Sequence, residues 1–545
     1  MEHKSLNKLL EKSIREHWDR GALSNVEGET LLYSDVARHI CYLQQVYGCC
    51  GLGRGSKIAL CSRNQARWGV AFLSALSIGG IPVPILQDFR AGSIHYLVNH
   101  SDADILFAGE PIIDTINAAA MPHIKAIVRI EDFEVVYAAD AALKSELDAV
   151  RYLFQERCAT GFGPENLEFY IDSPDDLALI NYTSGTSGFA KGVMLPYRSL
   201  IKNVELMELT APGMDCNSNV VSMLPTAHMY GLMMDLIFEM TIGAHVHFLM
   251  RPPSPMVIEQ AFSAIRPDIV MTVPLVVEKI CRRVMRSLGC EVGGEKLAPG
   301  QREEANRIIT GIFGGNFSEV VIGGAPLNAE VEDFLREIGF RYTVGSGMTE
   351  CGPLVSLSPW DQTKPHTCGR KAFYNDIRID SPDPANVPGE VYIKGGNVFL
   401  GYYKMPQETS EVLRGDGWFR TGDIGTLDAD GFLSLKGRCK SMILTSSGQN
   451  IYPEEIESCV NNLPYVQESL VVSDNNQLVA LIYPDQEMLT RDGLSEADLY
   501  QTLKAEIRGL NEELPTYCSI ARVEIFPEEF EKTPKNSIKR YLYQR

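Results

Sequence analysis

The chain has 545 residues, more than one compact core usually holds, so at least two domains are expected. Hydrophobic residues make up 45% and charged residues 22%, a balance that excludes wholesale disorder. Fifty Lys+Arg against 70 Asp+Glu leave a net charge of −20, which argues against nucleic acid or an anionic membrane as main partner, since both need a basic face. A nucleotide ligand, which needs only a few local donors, stays open.

The first twenty residues, MEHKSLNKLLEKSIREHWDR, are charged and periodic and carry no signal-peptide core. Residues 69–86 form the longest uncharged run, but Gly79, Gly80, Pro82 and Pro84 interrupt it. A buried helix followed by a strand is expected there, not a membrane span. Thirteen scattered cysteines without a CxxC pair fit reduced thiols in a cytoplasmic compartment and give a zinc site no support; Cys49 and Cys50 read as a buried apolar pair.

From about residue 56 to 350, short β-branched runs (58–60, 105–107, 177–182, 269–273, 320–322) alternate with helix-length amphipathic stretches. That pattern predicts an α/β fold with βαβ units and largely parallel sheets. Between residues 380 and 437, glycine-punctuated segments such as GEVYIKGG and GFLSLKG predict a small antiparallel subdomain. Beyond Gly437 the order strand, helix (453–462), two strands (466–472 and 478–483), helix, strand predicts an α+β domain of roughly a hundred residues. The expected division is 1–437 for a large N-terminal domain and 438–545 for a mobile C-terminal domain. With no low-complexity linker between them, the junction reads as a hinge.

The strongest local signal is YTSGTSGFAKGV (182–193), directly after an apolar strand. Its glycines leave backbone N–H groups open, Thr183, Ser184, Thr186 and Ser187 add hydroxyls, and Lys191 adds a cation, a set suited to wrapping a polyphosphate. It is not a Walker A loop, and no GxGxxG opens a helix. GGAPL (323–327) ends a second strand and GSGMTE (345–350) a third, where ligands of open α/β sheets bind. Glu350 is a hard oxygen ligand beside Thr349, suited to Mg²⁺ against a triphosphate. In WFRTGDIG (418–425) Asp423 can take ribose hydroxyls, and Arg438 lies close downstream. LPTAHMYG (224–231) sets His228 among apolar residues, while His245 and His247 alternate along one strand as structural residues.

Taken together and in order, YTSGTSGFAKGV, LPTAHMYG, GGAPL, GMTE, GEVYIKGGNVFLGYY, WFRTGDIG, GRCK, GQNIYPEEIE and KTPKNSIKR resemble the ANL adenylate-forming superfamily over nearly the whole chain. Within it, the chain most resembles bacterial long-chain fatty acyl-CoA ligases. The resemblance implies a carboxylate attacking the α-phosphate of Mg·ATP to give acyl-AMP, then transfer to the CoA thiol after the small domain rotates. It implies phosphate contacts from Thr183, Ser184, Gly185, Thr186 and Lys191, and adenine contacts from Gly324 and Ala325. Ser346, Gly347 and Met348 would line the nucleotide, with Thr349 at the α-phosphate and Thr183 and Glu350 at the metal. Asp423 and Arg438 would hold the ribose, His228 would gate the acyl pocket, Lys440 would fall at the hinge, and residues 448–450 would enter the site for thioester formation.

The chain departs from the family at Ala190, where proline is usual, and at Ser346, where an aromatic residue usually stacks on adenine at a gain of about 1 kcal/mol. The family's closing lysine position is Ser537; Lys535 and Lys539 flank it, and Lys535 is expected to serve adenylation. Counting thirteen residues back from Gly243, where amino-acid-activating relatives carry an aspartate, reaches Tyr230, so an uncharged acyl group is expected. The expected activity is a fatty acyl-CoA ligase using ATP, Mg²⁺ and CoA. Its alternatives are an acyl-AMP ligase loading a carrier-protein phosphopantetheine and a weakly active nucleotide-binding pseudoenzyme.

Overall fold

The structure is a computed structural model and describes residues 4–183, 190–289, 297–444, 450–475, 477–533 and 538–545. Near the N-terminus, the apolar runs Lys57–Cys61, Ile81–Ile85 and Ala103–Ala108 form the parallel centre of a five-stranded sheet, continued by Ala126–Arg129 and closed by an antiparallel edge, Val135–Ala138. Such runs lack polar alternation because both faces of a parallel sheet are covered. The uncharged stretch is the buried helix Ala66–Ser77 followed by the strand Ile81–Ile85, as its glycines and prolines predict. Among the described residues no helix is long and apolar enough to cross a membrane.

The glycine-rich segment sits elsewhere than a parallel reading places it. Leu177–Thr183 pairs antiparallel with Lys191–Pro196, in a register that sets Thr183 opposite Lys191, and Gly401–Tyr402 adds a third antiparallel strand. Lys191–Pro196 is thus an antiparallel neighbour of Leu177–Thr183, where the sequence pattern predicts largely parallel sheets. The other two glycine turns do follow parallel strands: Val270–Thr272, Val320–Ile322 and Tyr342–Val344 lie side by side in that order. The antiparallel subdomain is a four-stranded sheet of Asn375–Asp380, Gly389–Gly395, Phe419–Leu427 and Leu433–Arg438.

The C-terminal region builds its own core. Val466–Asp474 and Gln477–Pro484 pair antiparallel, and Ile520–Ile525 joins in parallel. Strand alternation sends Val471 to a cluster with Ile456, Val460 and Leu503, and Leu470 and Val472 to a second cluster with Phe530. Both faces of that small sheet are thus covered. Cys50 is buried, whereas Cys49 is half-buried, so only one of the pair is sealed in the core.

Candidate active site

The ends of the parallel strands Val320–Ile322 and Tyr342–Val344 open into a small cleft, at the place where open α/β sheets bind ligands. Gly323 and Gly324 form one wall, Ser346, Gly347, Met348 and Thr349 another, and His228 and Tyr230 a third. Gly324 has φ of +90°, a left-handed backbone suited to glycine, and so turns the chain without a side chain filling the space. Close approach explains two further glycines. A Cβ on Gly347 would lie 2.8 Å from the Pro353 carbonyl, and one on Gly323 would press on the Tyr230 ring at 3.2 Å.

The turn carrying Thr349 and Glu350 is tied down from outside. Met348 N–H donates to Pro353 O at 2.8 Å, Phe399 N–H donates to Glu350 O at 2.9 Å, and Asn397 Nδ2 donates to Cys351 O at 3.0 Å. That is the structural work of the GGNVFLGYY segment. The same segment supplies Tyr402, whose hydroxyl donates to Glu350 Oε1 at 2.9 Å. Burial, and then the Glu350 charge, push the Tyr402 phenol well above its ordinary range, so it remains a donor. The Lys191 ammonium lies 4.6 Å from the centre of the Tyr402 ring, a cation–π contact. Lys191, Tyr402 and Glu350 therefore form one chain from the antiparallel strands to the cleft.

Asp423 and Arg438 meet across two antiparallel strands: their Cα atoms are register partners, and Arg438 Nε lies 2.7 Å from Asp423 Oδ1. Burial raises the Asp423 pKa, Arg438 opposes that shift, and Glu350, Glu390 and Glu454 add to it. Each of these acids has a partner of its own: Arg438 for Asp423, Arg420 for Glu390 at 2.8 Å, Arg540 for Glu454 at 3.8 Å and the Tyr402 hydroxyl for Glu350. The Arg438 side chain is 57% exposed and the Asp423 side chain 18%, so a ligand can reach the pair from the Arg438 side.

That electrostatic setting fits a magnesium ion. The donors, the Glu350 carboxylate and the Thr349 and Thr183 hydroxyls, are hard oxygens, and a divalent cation would relieve the repulsion among the acids. Among the described residues no three His, Cys, Asp or Glu side chains are grouped to hold a metal by themselves. An ion here would therefore share its coordination with ligand phosphates, as Mg²⁺ commonly does.

His228 caps the short helix Met229–Leu232, its Nδ1 accepting from the Tyr230 backbone N–H at 3.2 Å. With Nδ1 an acceptor, the neutral ring carries its proton on Nε2. Ser24 and Asn219 hydrogen-bond His245 and His247, in keeping with a structural role for both. Ser184, Gly185, Thr186 and Lys535, together with residues 448–449, lie outside the described residues. The structure brings His228, Gly324, Ser346, Gly347, Met348 and Thr349 into one cleft, and pairs Asp423 with Arg438. Tyr230 and Tyr402 are the residues that motif reasoning missed. Each sits inside a quoted motif as an aromatic in an apolar run, and only tertiary packing turns it toward the site.

The cleft at the C-terminal ends of parallel strands lies where open α/β folds bind ligands, beside a buried carboxylate paired with an arginine. Residues 10–403 match the AMP-binding enzyme family, and residues 440–545 match the AMP-binding enzyme C-terminal domain. The chain belongs to the AMP-binding enzyme family, within the ANL superfamily. It is 25% identical over 540 residues to long-chain-fatty-acid–CoA ligase FadD15 of Mycobacterium bovis, covering 90% of this chain and 86% of that one. It is 28% identical over 505 residues to the long-chain-fatty-acid–CoA ligase of Escherichia coli O6:H1, covering 86% and 83%. In fold it is similar to the anthranilate CoA ligase AuaEII in complex with anthranoyl-AMP, with a TM-score of 0.80 and 18% identity over 99% of this chain and 96% of that one.

Proposed function

We propose that this chain is an ATP-dependent acyl-CoA ligase that activates a medium- or long-chain fatty acid through an acyl-AMP intermediate. The observation that carries the reading is the cleft lined by Thr349, whose neighbour Glu350 is joined through Tyr402 to Lys191 and acts electrostatically on Asp423, the partner of Arg438. In this reading a fatty carboxylate oxygen attacks the α-phosphorus of ATP, and the bond to the β-phosphate oxygen breaks with release of pyrophosphate. The CoA thiol then attacks the acyl carbonyl, its proton passes to solvent, and AMP leaves.

The residues divide the work by their chemistry. Lys191, with Thr183, Ser184, Gly185 and Thr186, neutralises the β- and γ-phosphates; Thr349 donates to the α-phosphate. Gly324, Ala325, Ser346, Gly347 and Met348 line the base and sugar, and Asp423 and Arg438 hold the ribose hydroxyls. Magnesium, held by Glu350 and Thr183, would supply charge neutralisation on the phosphates. Charge neutralisation and alignment carry this kind of transfer, with no protein nucleophile needed. Lys535 assists adenylation, and Lys440 is the hinge between a unit of residues 1–437 and one of 438–545.

Two features support a fatty acyl substrate. Tyr230 stands thirteen residues before Gly243, where amino-acid-activating relatives carry an aspartate, and its hydroxyl instead donates to Val321 O at 3.0 Å. The helical run below His228 carries four buried methionines, Met229, Met233, Met234 and Met240, a soft packing surface that also encloses the acids Asp235 and Glu239. The curated relatives' names point the same way. Free thiols at every cysteine among the described residues support a cytoplasmic setting.

The test is pyrophosphate release with Mg·ATP across straight-chain acids from C2 to C18 and several aryl acids, with and without CoA. A preference for C8 or longer with CoA-stimulated turnover is the expected result. A preference for aryl acids would overturn the acyl assignment. Turnover that needs a phosphopantetheinylated carrier protein would replace CoA as acceptor, and ATP binding without any pyrophosphate release would mark a pseudoenzyme.

A further inference from the structure

The turn between the helix Ala91–His100 and the strand Ala103–Ala108 reaches across to the strand that begins at Lys191. His100 Nδ1 lies 2.7 Å from the Tyr182 hydroxyl. Asp102 takes two donors: the Tyr403 hydroxyl donates to its Oδ2 and Lys404 Nζ to its Oδ1, each at 2.7 Å. Tyr182 and Tyr403 flank one rung of the sheet. Tyr182 is the register partner of Gly192, and Tyr403 N–H donates to Gly192 O at 2.8 Å. Two ammonium groups also face the Tyr403 ring, Lys57 at 5.7 Å and Lys404 at 5.3 Å from its centre.

Alternation along an extended chain sends neighbouring side chains to opposite faces. Tyr402 accordingly meets Lys191 and Glu350, while Tyr403 meets the turn at Asp102. Tyr402 ends the two-residue strand Gly401–Tyr402 and Tyr403 follows it directly, so what holds Tyr403 also restrains Tyr402. Asp102 and Lys404 both have the left-handed backbone that favours glycine, with φ of +55° and +57°. Backbone of this kind persists where the surrounding structure holds it, and it gathers at functional sites. Here the two residues that carry it are bonded to each other. An ion pair as exposed as this one contributes little to stability by itself; its consequence lies in the strand end that it grips.

We propose that Asp102 is a positioning residue for the nucleotide phosphates: through Tyr403 and Lys404 it sets the ring of Tyr402, against which the Lys191 ammonium rests. The proposal rests on the assignment of Lys191 to the β- and γ-phosphates in the reading above. The brace grips the strand from the face opposite Lys191, so it acts on the nucleotide without touching it.

The test uses the full-length chain with Asp102→Gly, which suits the left-handed backbone and removes the carboxylate, and Asp102→Asn, which suits it too and keeps an acceptor. Asp102→Gly is expected to raise the half-saturating concentration of Mg·ATP in pyrophosphate release about fivefold, the factor that loss of one ordinary hydrogen bond gives, and to leave that of the acid within about twofold. Asp102→Asn should restore the wild-type value for Mg·ATP. In a Lys191→Met background Asp102→Gly should add no further rise, since it acts through that lysine. Equal rises for Mg·ATP and the acid, no rise for Mg·ATP, failure of the asparagine to rescue, or additive losses in the double variant would overturn the proposal.

A second readout does not depend on turnover. Calorimetric binding without any acid should show Asp102→Gly weakening Mg·ATP about fivefold and AMP by less than about twofold, because AMP lacks the phosphates assigned to Lys191. If no acid supports pyrophosphate release, the ligase reading fails while this comparison still tests the brace. Equal weakening of the two nucleotides, or of neither, would overturn the brace alone.

Discussion

Two pairs of acids in the large unit behave oppositely. Glu350 and Asp423 stand at the cleft, half-buried, with a phenol on one and a guanidinium on the other. Asp235 and Glu239 lie on the helical run that begins at His228, one residue within the π turn Met233–Ile237 and the other in Phe238–Ile242. Both are fully buried, and around Asp235 only the Leu224 backbone and the Ser222 hydroxyl oppose the effect of that burial. Burial pushes both pKa values well above the usual carboxylate range, and for Glu239 the neighbouring Asp235 adds to the rise. An acid with a partner and a route to solvent can exchange that partner for a ligand. An acid sealed from solvent holds its proton and weakens the fold as the pH rises.

The sharpest break of that contrast is Glu350→Ala. It should lower acid-dependent pyrophosphate release by at least about a hundredfold, the scale of losing one electrostatic stabiliser. Wild-type rates in the variant would remove Glu350 from the metal site. Next come Lys535→Ala and Lys539→Ala, compared on adenylation alone. The Lys535 variant should fall about tenfold or more, while Lys539, which pairs with Glu531 at 3.1 Å, should matter little. The reverse order would move the role to Lys539.

A smaller effect is expected from Tyr402→Phe, which keeps the ring under Lys191 and removes the donor to Glu350. Adenylation should fall about five- to tenfold, in line with a lost hydrogen bond to a charged group. An unchanged rate would show that the Glu350 carboxylate is oriented without it.

The smallest change is in stability, from Asp235→Asn. Because the folded-state pKa of Asp235 lies above its unfolded value, the native state holds the proton more tightly. Stability is then full below the unfolded pKa and lost as the pH rises toward the folded one. Thermal midpoints at pH 5 and pH 8 should show the variant gaining on wild type at the higher pH. A gain that stays the same from pH 5 to pH 8 would mean that Asp235 is ionised in the fold.

Much of this organisation was legible in the residues. Uninterrupted apolar runs marked the parallel strands, and the two glycine turns after residues 322 and 344 marked the cleft, because ligand access at strand ends demands small residues there. Asp423 and Arg438 were tied to one ligand by their motifs, and an antiparallel register brings them together. The antiparallel pairing of Leu177–Thr183 was not legible, since an apolar run has the same pattern beside a parallel or an antiparallel neighbour. Nor was the sealing of Asp235 and Glu239, which looks like ordinary helix polarity until the surrounding elements close over it. The contact between Asp102 and Lys404 joins residues 302 positions apart, and no local pattern announces it.

The most direct test of the central claim is a single-turnover experiment with enzyme in excess of fatty acid and Mg·ATP, without CoA, followed by addition of CoA. The account predicts enzyme-bound acyl-AMP with stoichiometric pyrophosphate, converted on CoA addition to acyl-CoA and AMP. Acyl-CoA formed with ADP and phosphate, or no acyl-AMP before CoA is added, would contradict it.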